Sequence, residues 1–163
     1  MAGVRGMDQA MTNLTSDEKM GLPIVIVMAM IVALRFFTPA FMWFDVRTMD
    51  VQHTQVGDLP EVDFDRAVVR PFQGSWQVVI RKLEPWGWVG YCSTDTNYRP
   101  YLTDSALPNP LYLDWFTADD TCYESLPCGQ YDIIVTWKVW PGSIIFERTI
   151  SRTDRFNIVC PAT

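Results

Sequence analysis

"GQYDIIVTWKVW", residues 129–140, carries the most regular pattern in the chain. Tyr131, Ile133, Val135, Trp137 and Val139 occupy every second position, with Asp132, Thr136 and Lys138 between them. Alternate side chains of a pleated strand point to opposite faces, so a period of two predicts a half-buried strand and not a helix. Pro141 and Gly142 follow at once and supply a turn. "SIIFERTISRTDRFNIVC", residues 143–160, then returns as one long or two short strands, rich in β-branched and aromatic residues.

The alternation recurs upstream. In "GSWQVVIRKL", residues 74–83, Trp76, Val78 and Ile80 alternate with Gln77, Val79 and Arg81. "WGWVGYCS" (86–93) and "LYLDWF" (111–116) read as two further strands, separated by a loop, "TDSALPNP", that holds two prolines. No stretch after residue 45 has the length and caps of an ordinary helix. Six or seven short strands over about 100 residues predict an all-β fold, an antiparallel β-sandwich.

On these residues the chain resembles immunoglobulin-like and fibronectin-like domains. In "CGQYDIIVTWKV" a glycine precedes a corner tyrosine, here Gly129 and Tyr131, as in the penultimate strand of those families. "SWQVVIRKL" is similar to their second core strand, with Trp76 in the core. The likeness covers roughly residues 66–161 and departs from antibody domains, because neither strand carries a cysteine in its body. It implies that Cys128 and Cys160 meet at one end of the sheet, with Cys92 and Cys122 near that end. The pairing expected from this arrangement is Cys128 with Cys160 and Cys92 with Cys122; Cys122 with Cys128 and Cys92 with Cys160 is the alternative. That end would lie away from the N-terminus of the domain.

All four cysteines follow residue 91, an even count that suits two disulfides in an oxidising compartment. Zinc would want ligands at closer spacing than the C-x5-C of Cys122 and Cys128, and the single histidine, His53, lies far from them in sequence. No metal or other cofactor is expected.

The other strong signal is "GLPIVIVMAMIVALRFFTPAFMWF", residues 21–44, in which Arg35 is the only charge. Twenty-four helical residues reach roughly 36 Å, enough for a hydrocarbon layer of about 30 Å. An arginine at a helix centre costs about 2.5 to 3.5 kcal/mol, less when it snorkels to the headgroups. Arg35 with Phe36, Phe37, Trp43 and Phe44 therefore reads as an interfacial collar. A cleaved signal peptide fits less well, since the leader is nearly neutral and Pro39 sits in the best cleavage site. Pilin-like subunits resemble "EKMGLPIVIVMAMIV", but the glutamate expected five residues after the glycine is missing. The expected organisation is a cytoplasmic leader (1–20), a transmembrane helix (21–44), a polar stalk (45–66) and the β-sandwich (67–163). Lys19 against Arg35 and Arg47 gives a basic bias for the opposite orientation; the cysteines put the C-terminal domain in the periplasm or outside the cell. Asn13 begins an "NLT" glycosylation pattern on the cytoplasmic side of this arrangement. A short leader, one anchor and a Trp-rich sandwich also resemble small membrane proteins encoded by bacteria or their phages.

Charge narrows the partners. Residues 1–44 hold three basic and three acidic side chains, so the net charge of −6 falls on the remainder, with 10 basic against 16 acidic. Nucleic-acid binding depends on displacing counterions with Lys and Arg, and an acidic domain is not expected to do so. Membrane lipid and protein partners are expected instead. No nucleophile-histidine arrangement or phosphate-binding loop is present, and pairs such as Asp63 and Asp65 or Asp119 and Asp120 read as solvated surface. The aromatic excess points to binding: Trp86, Trp88, Trp115 and Trp140 are the candidates, Trp86 and Trp140 most exposed beside turn prolines. The expected function is a non-enzymatic accessory, structural or recognition subunit of a membrane assembly. The alternatives are an envelope lysis factor or enzyme and a pilin-like filament subunit.

Overall fold

The structure, a computed structural model, describes residues 16–117, 126–142 and 146–161, without the side chains of 16–22 and 34–37. The chain divides into two units that meet at Thr38 and Pro39.

The first unit contains helix α1, Ser16–Phe37. Pro23 lies inside it, and every side chain described there, from Pro23 to Ala33, is exposed. These eleven residues are apolar on all faces of the helix. Among the described residues no helix is long and apolar enough to cross a membrane; the described side chains of α1 cover about 16 Å at 1.5 Å per residue. The helix also stops short of the expected boundary at residue 44. Pro39 is extended (φ −76°, ψ 153°), and a proline disfavours helical backbone in the residue before it. A 3-10 turn, Ala40–Met42, then opens the second unit.

That unit is built mainly of strands. They are β1 (Phe44–Val51), β2 (Thr54–Gln55), β3 (Val62–Val68), β4 (Phe72–Glu84), β5 (Gly87–Asp95), β6 (Arg99–Tyr101), β7 (Gly129–Trp140) and β8 (Arg148–Val159). The main sheet runs β2-β8-β7-β4-β5, with β6 also against β4. All its pairs are antiparallel except β2 with β8, which is parallel. Tyr131, Ile133, Val135, Trp137 and Val139 are all buried, as their alternation predicts.

A second, smaller layer pairs β1 with β3 antiparallel. The Val62 N–H donates to the Leu111 carbonyl (2.8 Å), and the Leu113 N–H to that of Pro60 (3.0 Å), so residues 111–113 border β3. The layers meet through aromatic rings: Phe64 stacks on Trp137 at 5.4 Å, and Phe44 lies 5.5 to 5.7 Å from Phe72, Tyr101 and Trp137.

Three expectations are corrected. The polar stalk of 45–66 is instead largely β1 and β3: Val46, Val51, Val62 and Phe64 alternate with Asp and Arg side chains and are buried. In β3 the acidic residues between them hid a period of two, and in β1 a bulge between Val46 and Thr48 breaks it. Trp43 and Phe44 are core residues and not part of a lipid collar, with Phe44 completely buried. "LYLDWF" is not a strand; it leads into a short helix, α2 (Leu113–Thr117). Leu113 and Phe116 are buried three positions apart, the spacing of one helix face. The expected leader falls largely outside the described residues.

Candidate functional site

Strand lengths give the β-domain two distinct ends. Phe44 and Phe72 lie at the end where the chain enters from Pro39, called proximal. About ten residues along β4, Lys82 pairs with Tyr131, roughly 33 Å away at 3.3 Å per residue, at the distal end.

At the distal end, Pro85 and Trp86 form the turn between β4 and β5. Gly87 closes it with φ 125°, a conformation other residues rarely adopt. Trp86 is 80% exposed at the tip of this hairpin, flanked by exposed Leu83 and Val89. Trp88 is half-buried on the outer face of the sheet, with the guanidinium groups of Arg81 and Arg155 at 5.8 and 5.5 Å from its ring. Asp132, only 2% exposed, accepts two hydrogen bonds from Arg81, the one from Nε at 2.9 Å. That hydrogen bond holds the Arg81 proton more firmly than usual. A buried carboxylate is tolerated because it is paired and hydrogen-bonded. The result is a firm hairpin carrying one large exposed ring.

The cysteines hold this end. Cys128 and Cys160 form a disulfide with Cα atoms 5.3 Å apart, as expected from their placement on adjacent strands. Cys92 is also disulfide-bonded, and no described cysteine is free; Cys122 lies outside the described residues. The Tyr131 O–H donates to the Pro127 carbonyl (2.7 Å), and burial raises its pKa to about 12.

The remaining candidates separate. Trp140 is 45% exposed at the proximal end. Trp115 is not a free surface ring: it stacks on Trp76 at 5.1 Å, while Trp76 Nε1 donates to the Phe116 carbonyl (2.8 Å). The side chains of Arg35, Phe36 and Phe37, as well as Asn13, Asp119 and Asp120, lie outside the description. His53 is tied to β8, where its Nδ1 accepts the Asn157 N–H (3.1 Å).

The proximal end holds residues that the sequence reading passed over. Along β3 the inward positions run Val62, Phe64, Arg66, so an arginine occupies a core-facing place. Its guanidinium lies 5.7 Å from the Phe44 ring and 5.5 Å from that of Tyr101. Arg70 lies over Trp43 at 6.0 Å and Arg99 over Trp76 at 4.4 Å. Burial lowers the Arg66 pKa and raises that of Tyr101 to about 12, with Arg66 and Arg99 pulling Tyr101 back down. The signal was the alternation itself, carried two residues past Phe64.

An open cleft of about 530 Å³ lies beside β3, lined by Gln52, Glu61, Asp63, Leu107, Asn109 and their neighbours. It contains no histidine, cysteine or serine, and no group of three or more metal-ligating side chains exists among the described residues. In comparisons with known proteins, no family model, curated protein or solved structure matches this chain.

Proposed function

We propose that this chain is a single-pass membrane protein whose immunoglobulin-like domain is a non-enzymatic recognition or accessory subunit of a membrane assembly. The observation that carries the anchor is α1, where eleven successive apolar side chains are exposed around the whole helix. In water such a surface would aggregate, whereas hydrocarbon solvates it. Several features support the immunoglobulin-like reading of the domain. They are the parallel β2–β8 edge, the Tyr131 hydroxyl bonded to backbone four residues upstream, and buried Trp76 on β4. The disulfide at the distal end supports a domain on the oxidising side of the membrane. Trp86 on its hairpin is the proposed contact for a protein partner, because rigid exposed aromatics bind at low entropic cost.

Alkaline carbonate extraction of membranes from cells making the full chain tests the anchor. Recovery in the pellet, with Cys128–Cys160 intact in unreduced peptide maps, is expected; release into the supernatant overturns it. Affinity capture from mild detergent tests the subunit. A stoichiometric protein partner is expected, and recovery only as a lone monomer counts against the reading.

A further inference from the structure

Arginines on a folded surface usually find a carboxylate. The β-domain is rich in acids, and Arg47 and Arg81 have such partners. Among the described residues Arg152 and Arg155 lack one, Arg152 donating instead to the Val46 carbonyl and Arg155 lying over the Trp88 ring, and so do Arg66, Arg70 and Arg99: no carboxylate lies within ion-pair distance of these three among the described residues. All three gather toward the proximal end, where Arg70 lies two residues after β3 and Arg99 pairs with Gly74 near the start of β4. Each is held against an aromatic ring. The Arg66 Nε–H and the Tyr101 hydroxyl are buried without a hydrogen-bond partner, although Tyr101 is 95% buried by residue. Buried donors without acceptors are costly, and these two lie beside the same ring system. Phe41, Val69 and Trp140 expose apolar surface at this end. The nearby acids Asp45 and Asp65 are themselves paired with Arg47.

We propose that the proximal end of the β-domain rests on anionic lipid headgroups, with Arg66, Arg70 and Arg99 donating to lipid phosphate oxygens and Phe41, Val69 and Trp140 entering the interface. This rests on the membrane-anchor reading. The lipid surface is favoured as occupant because Thr38 alone separates α1 from Pro39 in the chain, and because guanidinium groups without carboxylates beside exposed apolar side chains complement anionic headgroups. Guanidinium groups match phosphate geometry, and stacked arginines have already lost much of their side-chain freedom. Aromatic and apolar residues beside basic ones are the composition of a membrane interface.

The test is arginine modification by phenylglyoxal, read by mass spectrometry on the full chain. The chain is compared in detergent, in phosphatidylcholine nanodiscs and in nanodiscs that also contain phosphatidylglycerol. Arg70 and Arg99 are expected to react about fivefold more slowly in the anionic discs, the equivalent of one surface arginine attracted to anionic lipid. Arg155, at the distal end, serves as the internal control and should react at one rate throughout. Equal rates for Arg70 and Arg99 in all three media overturn the proposal. So does equal protection in phosphatidylcholine alone, or protection in detergent by inorganic phosphate, which would mark a site for a free anion. Failure to enter discs at all overturns the anchor reading as well, whereas entry without protection overturns this inference only. The Arg70→Gln/Arg99→Gln pair, both exposed, should enter discs normally and lose the protection of the peptide bearing Arg66.

Discussion

The proximal and distal ends of the β-domain are stabilised differently. At the proximal end the two layers meet chiefly through rings: Phe44, Phe72, Tyr101 and Trp137 lie within 6 Å of one another in a chain of centroid contacts, and Arg152 of β8 adds a hydrogen bond to the Val46 carbonyl (2.6 Å). At the distal end a covalent bond joins β7 to the C-terminal side of β8, and Tyr131 is fixed by a hydrogen bond and by stacking on Phe156 at 5.5 Å. Packing keeps the proximal end in place and leaves the Arg66 Nε–H and the Tyr101 hydroxyl without partners. At the distal end Asp132 is paired with Arg81 and the Tyr131 hydroxyl has its carbonyl, and Trp86 projects from the hairpin. Under the proposed function, the two ends of one domain divide surface binding from recognition.

The largest effect is expected where ring packing joins the two layers. Trp137→Ala removes the ring that stacks on Phe64 and touches Phe44, and should cost about 3 to 5 kcal/mol of unfolding free energy. Urea denaturation of the detergent-solubilised full chain, followed by tryptophan fluorescence, measures it. A loss below 1 kcal/mol would mean that the small layer is not held by this ring. At the distal end the matching change is Cys128→Ser with Cys160→Ser, which should cost about 2 to 4 kcal/mol. A double variant is required because a reducing agent would also open the Cys92 disulfide.

A pair of tyrosines makes the comparison finer. The Tyr131 hydroxyl has its carbonyl partner, so Tyr131→Phe should cost about 1 kcal/mol. The Tyr101 hydroxyl has none, and Tyr101→Phe should be nearly neutral in detergent. Both phenols have folded pKa values raised to about 12 from the usual 10. The fold therefore favours their neutral forms: this stabilisation is complete below pH 10 and is lost as pH rises through about 12. Urea midpoints should fall over that window, and less steeply in the variant lacking both hydroxyls.

The sequence made the central strands legible because β4 and β7 are buried on one face and partly polar on the other, which leaves a clean period of two. The same physics was present in β3, where Asp63 and Asp65 filled the outward positions, but in β1 a bulge between Val46 and Thr48 breaks the period, and the segment read as a stalk. α2 was hidden because Leu111, Leu113 and Trp115 also satisfy a strand period, and only packing decided for Leu113 and Phe116. The exposed Trp86 was legible from Pro85 and Gly87, which demand a turn. Arg66, Arg70 and Arg99 were not, since each meets its ring through the fold: Arg66 and Phe44 are brought together by the pairing of β1 with β3, and Arg99 and Trp76 by that of β4 with β6.

The smallest stability effect carries the sharpest functional consequence. Trp86 is exposed at a turn and makes no ring contact among the described residues, so Trp86→Ala should change unfolding free energy by no more than about 0.5 kcal/mol. Trp140→Ala, at the other end, should do the same. Their effects on association are expected to diverge, with Trp86→Ala reducing recovery of the protein partner in affinity capture while Trp140→Ala leaves it unchanged. If both variants lose the partner, recognition spans the length of the sheet and the two ends do not divide the work. If neither does, the outer face around Trp88, Arg81 and Arg155 becomes the contact, because a half-buried ring and two guanidinium groups meet there.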